Sequence, residues 1–358
     1  RVNILPLSEK ILVETLVIYG ESIDLHLLED ILLGVGIDKE QIGKSLKMLF
    51  EKRIILRIFE SGSIRIKCFN NIIQKTCEEN ILEETKNKIN YEIGKILSTY
   101  TDIDVETKIK AGIHFLNGLK FKNAIQVLFP AIDELKKLNR ILKALSVIEQ
   151  LYEKREHFVG IDYYEIGKQF AYLKKESGEY ESALKELLML YGKFHEKRIE
   201  LNQLISNCML LQRDYSHAYR YIEEGLEISK GKGIPQQIVN YFALKSQLLN
   251  GELKFTKSIE TATKAIEIDS KLNEKERNPN LYNVIGLSYY YVGDYNLSEK
   301  YFKAGLNICD MTSDSQYKKI MILNNIGMLY FKKENYKTAL SSYNRAIGIA
   351  KDSGDKFR

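Results

Sequence analysis

The sequence contains no tryptophan and only four prolines, five histidines and four cysteines among 358 residues. The cysteines are Cys68, Cys77, Cys208 and Cys309; none forms a close CxxC pair, and none has a histidine at ligand spacing. This scatter argues against a zinc site or a disulfide framework and is typical of reduced, buried thiols in a cytoplasmic protein. The sequence also lacks any run of 18 apolar residues, so we expect no membrane span and no membrane partner.

Motifs for catalysis and for nucleotide binding are missing as well. Gly43-Lys44-Ser45 has the ending of a phosphate-binding loop, but the first glycine of that loop is replaced by Asp38, and the segment has a helical pattern. No histidine is paired with a nearby nucleophile in a recognisable motif; the five are His26, His114, His157, His195 and His217. We therefore predict a chain that is not an enzyme, with no catalytic residue, no metal ligand and no cofactor.

The charge of the chain is nearly balanced. There are 53 basic and 48 acidic side chains, interleaved along the whole length, for a net charge of +5. No stretch carries the excess, so the charge argues neither for nor against a nucleic-acid partner. The chain starts at Arg1 without methionine or a signal peptide, and we expect it to be a piece of a longer protein. Its richness in Lys, Ile and Asn suggests a bacterial source.

Two segments, 282–306 and 323–347, repeat each other position by position. The matched pairs are Gly286 with Gly327, Tyr289 with Tyr330, Tyr295 with Tyr336, Phe302 with Tyr343, and Gly305 with Ala346. These residues resemble the tetratricopeptide repeat pattern, in which L-G-x-x-Y, G-x-Y-x-x-A and F-x-x-A follow one another. The resemblance implies pairs of antiparallel helices that stack into an α-α superhelix, with small residues where backbones approach closely.

Earlier units are more degenerate but keep the small residue after the turn. The positions are Ala183, Ala218, Ser258, Ser298 and Ala339, separated by 35, 40, 40 and 41 residues. The interval from Ala124 to Ala183 is 59 residues, so we predict an extra helix at about 139–158. The predicted superhelix covers residues 105–358 and has about six helix pairs.

The first hundred residues have a different pattern. Helices are predicted over Ser8 to Tyr19, Asp24 to Leu33 and Asp38 to Lys52, with aspartates as caps for the second and third. Two runs, 53–58 and 63–67, the second alternating with period two, then flank Glu60-Ser61-Gly62 as a β-hairpin. This order predicts a small winged-helix-like domain at 1–79, followed by a connecting helix at 80–104. The predicted fold class is therefore all-α, with one β-hairpin.

The phrases L-S-E-K-I-L, D-L-H-L-L-E-D-I-L and I-R-I-K-C-F-N-N-I-I-Q look like the winged-helix region after the ATPase core of STAND-class signalling ATPases. The family commonly has His-Asp where this chain has Asn70-Asn71. The resemblance implies an upstream ATPase module and an output domain, such as a DNA-binding domain, a kinase or a cyclase, in the parent chain. The lysines of the third predicted helix are offset by acids, so we do not expect this segment to bind DNA.

In the tetratricopeptide register, the first helix of each pair faces the concave side, and its inward positions recur at about offsets 2, 5, 9 and 12. The predicted ligand-binding residues are Lys168, Tyr172, Gln203, Asn207, Asn240, Gln247, Asn283, Tyr290 and Asn324. The same register adds Glu165, Lys175, Asn280 and Phe331. Side-chain amides bind an extended peptide backbone through both donor and acceptor, and tyrosine stacks at low entropic cost. The alternative is an ordinary solvated polar face.

These patterns leave three functional hypotheses open. The first is the sensor and scaffold region of a larger signalling or transcription regulator, with a protein or peptide ligand in the concave groove. The second is a stand-alone adaptor that assembles proteins. The third is a peptide-pheromone receptor, whose usual N-terminal domain the hairpin at 54–67 does not resemble.

Overall fold

The computed structural model describes residues 5–60, 62–99, 104–311 and 316–352. Backbone contacts divide the chain into two compact units, Arg1–Leu135 and Lys136–Arg358. Within the described ranges the chain forms eighteen α-helices and one three-stranded sheet. It is thus an all-helical, tetratricopeptide-like array with a small sheet at its N-terminal side, as predicted. None of the helices in these ranges combines the length and apolarity that crossing a lipid bilayer requires.

The first unit opens with three helices, α1 (Leu7–Tyr19), α2 (Leu25–Val35) and α3 (Lys39–Glu51). The predicted aspartate caps are both in place. Asp24 accepts hydrogen bonds from the backbone N–H of His26 at 2.9 Å and of Leu27 at 3.4 Å, and Asp38 accepts one from Gln41 at 2.9 Å. Each carboxylate satisfies donors that the first helical turn leaves without an intrahelical partner.

The sheet contains the predicted hairpin and one strand more. Strands β2 (Ile55–Glu60) and β3 (Ser63–Cys68) are antiparallel, and the short strand β1 (Ile23–Asp24) pairs with the other edge of β3, which gives the order β1-β3-β2. Strand β1 was not predicted, because two residues are too few to show an alternating pattern. Ile23 faces Ile66 across the pair, and both side chains are fully buried.

Four further helices complete the described part of this unit: α4 (Asn71–Glu78), α5 (Glu83–Thr99), α6 (Val105–Asn117) and α7 (Phe121–Lys137), the last crossing the division between the units. Helix α4 was not predicted, although Asn70 caps it by accepting a hydrogen bond from Ile73 N–H at 2.9 Å. Ile89 and Ile93 of α5 belong to the same apolar core as Leu12 and Ile31. The predicted domain boundaries at 79 and 104 therefore fall inside the first unit.

Among its described residues, the second unit contains one single α-helix and five pairs of α-helices. Helix α8 (Ile141–Glu153) lies within the predicted extra helix at 139–158. The pairs are α9 (Gly160–Glu176) with α10 (Tyr180–Lys193), α11 (Arg198–Leu211) with α12 (Tyr215–Gly231), α13 (Pro235–Gly251) with α14 (Phe255–Asp269), α15 (Pro279–Val292) with α16 (Tyr295–Met311), and α17 (Gln316–Lys332) with α18 (Tyr336–Asp352). Short connections make the members of each pair antiparallel neighbours.

Small residues set the closeness of these pairs. An added Cβ at Gly327 would lie 2.5 Å from the ring of Tyr343, and one at Gly167 would lie 2.6 Å from the carboxylate of Glu186. Ala183, Ala218, Ser258, Ser298 and Ala339, the positions predicted from the repeat spacing, are all buried. The helices of each pair therefore approach at glycine, alanine or serine, which keeps the first helix of every pair aligned along one wall.

Candidate functional site

A groove of about 1240 Å³ lies entirely within the second unit. Its wall is built by the first helices of successive pairs, α9, α11, α13, α15 and α17, with the start of α8. Eight side-chain amides line it: Asn139, Gln203, Asn207, Gln236, Asn240, Gln247, Asn278 and Asn280. Amides recur on α11, α13 and α15, the first helices of successive pairs. They therefore form a polar track along the groove rather than one isolated pocket.

Five of the nine predicted binding residues line this groove: Tyr172, Gln203, Asn207, Asn240 and Gln247. The spacing explains why they share one surface. Gln203 and Asn207 are four residues apart on α11, and Asn240 and Gln247 are seven residues apart on α13, so each pair lies on one helical face. Lys175 and Asn280, which the same register gave, line the groove too, whereas Glu165 and Phe331 lie outside it.

Lys168 does not line the groove and is hydrogen-bonded to two carboxylates. Its ammonium group donates to Glu165 at 2.9 Å and to Glu200 at 3.0 Å. These hydrogen bonds raise the pKa of Lys168 although burial alone would lower it. The residue therefore joins α9 to α11 and has little capacity left for a ligand.

Three other predicted residues, on α15 and α17, also lie outside the groove. Asn283 is buried between the helices, and its carbonyl oxygen accepts a hydrogen bond from Asn325 at 2.8 Å. Tyr290 packs its ring against Tyr295, with centroids 5.9 Å apart. Asn324 is exposed at a position away from the lining. The groove instead reaches α17 near its start, through Tyr317, Lys318, Ile320 and Met321.

The hydrogen-bonding state of the amides differs along the track. Asn240 accepts from Asn278 at 2.8 Å through its carbonyl oxygen, which leaves its NH₂ group available. Gln236 donates to the backbone oxygen of Glu276 at 2.9 Å and keeps its own oxygen. In the part of the chain that the structure describes, the side chains of Gln203, Asn207 and Gln247 make no hydrogen bond. These half-buried amides thus present both donors and acceptors to the groove.

The ring of Tyr172 lies near the ammonium groups of two lysines. The ammonium groups of Lys136 and Lys175 each lie 5.0 Å from the centre of its ring, a cation–π distance. Burial raises the pKa of the Tyr172 phenol to about 12, with further contributions from Glu176 and Tyr317. The phenol is therefore a neutral hydrogen-bonding group throughout the physiological pH range.

Of the basic side chains of the wall, only Lys175 was predicted. The described lining contains Arg140, Lys143, Lys175, Arg277 and Lys318 but Glu176 as its one acidic residue. Arg277 belongs to the connection before α15, and Arg140 directly precedes α8. Positions in connections have no helical register, so a count of helix offsets does not reach them.

No cluster of three or more His, Cys, Asp or Glu side chains suited to a metal ion occurs among the described residues. All four cysteines are free thiols. Burial raises the pKa of Cys208 and of Cys77 to about 11, so these thiols are protonated at neutral pH and are poor nucleophiles.

Comparison with known proteins agrees with the repeat geometry. The tetratricopeptide repeat family matches residues 277–352, which cover the last two helix pairs. The chain thus contains tetratricopeptide repeats. No curated protein matches the sequence.

Two solved structures share the fold at low sequence identity. One is a Signal Transduction ATPase with Numerous Domains (STAND) protein with a tetratricopeptide repeat sensor from Pyrococcus horikoshii, with a TM-score of 0.54 and 14% identity; the match covers 99% of this chain and 52% of that one. The other is a Rap protein complexed with competence and sporulation factor, with a TM-score of 0.51, 14% identity, and coverage of 70% and 78%. The chain therefore spans about half the length of the STAND protein.

Proposed function

We propose that the second unit is a non-catalytic binding scaffold that holds an extended peptide, or an extended segment of a protein, in its amide-lined groove. The observation that carries the proposal is the set of half-buried amides on α11 and α13 without hydrogen bonds in the described chain, Gln203, Asn207 and Gln247. Half-buried amides that face a groove can exchange water for the groups of a ligand. An extended backbone would supply donors and acceptors to them along the whole track.

We further propose that the chain is the sensor region of a larger signalling regulator. The fold shared with the STAND protein supports this reading because that match extends over nearly all of the chain. On this proposal an upstream ATPase module and an output domain belong to the parent protein, which works in the cytoplasm. The first unit is then a winged-helix module that relays ligand binding, in line with its three helices and its strand order β1-β3-β2.

Helix α3 of the first unit supports a relay role over DNA binding. Lys44 on this helix is engaged by Glu40 at 2.6 Å, and Glu51 adds another negative charge to its end. A helix that reads DNA needs a positive face free to meet phosphates and base edges.

A second candidate function, an adaptor without a switch, is favoured by the Rap protein, which shares this fold and was solved as a complex with competence and sporulation factor. The parent gene separates the two. A phosphate-binding loop encoded upstream of residue 1 supports the regulator, and a start codon directly before residue 1 with a stop after residue 358 supports the adaptor.

The binding proposal is tested by selecting random peptides of about ten residues on the purified chain by phage display. The selected peptide, labelled with fluorescein, is then titrated by fluorescence anisotropy. We expect Asn207→Ala and Gln247→Ala each to weaken binding about five- to tenfold, since each removes hydrogen bonds made only in the complex. Asn296→Ala is the matched control, because Asn296 is exposed on α16 and outside the groove.

Failure to select any peptide would contradict the proposal. It would also be contradicted by a selected peptide whose affinity is the same in all three variants. Circular dichroism shows whether each variant stays folded, and Asn→Ala within a helix is expected to keep the helix, because alanine is the better helix former.

A further inference from the structure

We infer that the groove selects an acidic ligand, an extended peptide carrying several carboxylates. The inference rests on the proposed function and adds the charge class of the partner. The described lining residues of the groove include five basic side chains and one acidic side chain. That excess of four positive charges compares with a net charge of only +5 for all 358 residues. The groove therefore concentrates the positive charge of the chain.

The part of the wall formed by α11 and α13 is neutral, and the cations lie on the parts beside it, together with Asn139, Asn278 and Asn280. Helices α11 and α13 contribute amides and apolar side chains to the lining but no charged one. The basic residues come from the start of α8, from α9, from the connection before α15 and from α17. A peptide that lies on the amides of α11 and α13 would therefore have its backbone on a neutral track and its side chains toward basic groups on both sides.

Lys318 is the most available of these cations. It is exposed on α17 and has no ion pair with another described residue. Lys175, by contrast, is bound to Glu176 at 2.7 Å, so the one acidic residue of the lining already neutralises one base. After this pair has been counted, Lys318 still presents its positive charge to the groove.

Arg277 has one hydrogen bond to the backbone outside the groove lining. Its guanidinium donates to the backbone oxygen of Ser270 at 3.3 Å, while its buried Nε has no hydrogen-bond acceptor. The buried carboxylate of Asp269 is near enough to interact with it electrostatically, but Asp269 already accepts hydrogen bonds from Asn278 N–H and the Tyr282 hydroxyl, both at 2.9 Å. A guanidinium with five N–H donors and one bond retains a strong preference for an added carboxylate.

A single-stranded nucleic acid would also be attracted by positive charge, but the wall is poorly suited to it. Such sites combine a basic groove with successive aromatic rings on which bases stack. The lining has three rings, those of Tyr172, Tyr180 and Tyr317, and the ring of Tyr172 already has Lys136 and Lys175 at 5.0 Å. Helices α11 and α13 add no aromatic residue to the lining, so no ring lies on the helices that present the amides. Carboxylates on a peptide fit the combination of amides and separated cations better.

The test offers the purified chain two phage-displayed libraries of about ten-residue peptides. One has Asp or Glu at alternate positions, and the other has Lys or Arg at the same positions. Fluorescein-labelled oligo-dT is titrated in parallel. We expect enrichment from the acidic library only.

Arg277→Gln and Lys318→Gln should each weaken binding of the selected acidic peptide about tenfold at about 0.05 M salt, and much less at about 0.5 M. Lys257→Gln is the control, because Lys257 is an exposed lysine of α14 outside the groove.

The outcomes separate this inference from the proposed function. Enrichment from the basic library, or equal enrichment from both, overturns the acidic preference and leaves peptide binding intact. Enrichment from neither library overturns the acidic preference, and failure of the random library as well overturns peptide binding. Oligo-dT binding without peptide enrichment assigns the groove to nucleic acid instead. An acidic peptide whose affinity falls equally in the Lys257→Gln variant also contradicts the inference, because its charge would then be read outside the groove.

Discussion

Gly286 of α15 lies directly against the ring of Phe302 on α16: an added Cβ would be 2.6 Å from Cδ1 of that ring. Phe302 is fully buried, so its ring has no room to withdraw. This contact explains the repeated sequence pattern, because Gly327 and Tyr343 make the same contact in the next pair. The glycine leaves the space that the aromatic ring fills, so the two residues pack as a pair.

We therefore expect Gly286→Ala to destabilise the second unit by about 1–3 kcal/mol, the usual cost of forcing extra volume into a packed core. The matched control is Gly348→Ala on α18, where an added Cβ meets nothing within 4 Å and should stabilise by about 0.5–1 kcal/mol. Urea unfolding followed by circular dichroism measures both. Equal effects of the same sign at the two glycines would contradict the packing account.

The carboxylate of Glu299 makes stability depend on acid pH. It accepts hydrogen bonds from Lys303 and from the Tyr330 hydroxyl at 2.6 Å, and from Lys333 at 2.9 Å, so it joins α16 to α17. Burial alone would raise the pKa of Glu299, but these three donors outweigh burial and lower the pKa from 4.5 to about 2. The folded state therefore holds the ionised form more strongly than the unfolded state does.

Because this pKa is lowered on folding, its contribution is fully present above pH 4.5 and is lost as the pH falls toward about 2. We expect Glu299→Gln to be less stable than the unmodified chain by about 1 kcal/mol at neutral pH, with the difference shrinking below pH 4.5. Urea midpoints across this range provide the measurement. A difference that is constant with pH would show that the charge of Glu299 is not what stabilises the helix contact.

His114 of the first unit is a base, whereas Glu299 is an acid, but both make the free energy of unfolding fall as the pH drops. Its ring is buried, stacks on Tyr19 with 12° between the planes, and meets the Asn90 carbonyl oxygen at 2.8 Å through Nδ1. The Asn90 NH₂ group donates to the backbone oxygen of Lys86, so Nδ1 is the donor of the bond to Asn90 and Nε2 is unprotonated. Burial, and then the nearby charge of Lys110, lowers the pKa of His114 to about 4.

The unfolded chain binds this proton near pH 6.5 and the folded chain only near pH 4, so the stability of the first unit should fall as the pH drops through that interval. A loss of the order of 2–3 kcal/mol is expected by the lower end. In His114→Asn the amide nitrogen takes the place of Nδ1 and can donate to Asn90 but does not titrate, so this part of the pH dependence should disappear. An NMR titration of His114 with a midpoint near 6.5 would contradict the assignment.

The sequence allowed the repeat architecture to be predicted because its contacts are local. Gly286 and Phe302 are sixteen residues apart and recur in the next pair, and the caps at Asp24 and Asp38 depend only on the following turn. The groove amides on α11 and α13 were reachable for the same reason. The arrangement of α17 beside the other wall elements is the sum of small rotations from pair to pair, so no local pattern revealed Lys318 or Arg277.

The buried carboxylate of Asp269 anchors the groove wall at the end of α14. The hydroxyl of Tyr282 donates to the Asp269 carboxylate at 2.9 Å, and the same carboxylate accepts the N–H of Asn278 at 2.9 Å. Asp269 is fully buried, so it depends on these donors to offset its lost hydration. The connection that carries Arg277 and Asn278 is thereby fixed to the end of α14.

Tyr282→Phe should cost about 1.5–3 kcal/mol, because it leaves a buried carboxylate short of one donor. It should also speed hydrogen exchange at the Asn278 amide, which relies on the same acceptor. Tyr291→Phe is the matched control on the same helix, since Tyr291 is half exposed and its ring packs on Phe255. Exchange at Asn278 that rises equally in both variants would mean that Asp269 holds the connection without help from Tyr282, and the groove wall would then be positioned by helix packing alone.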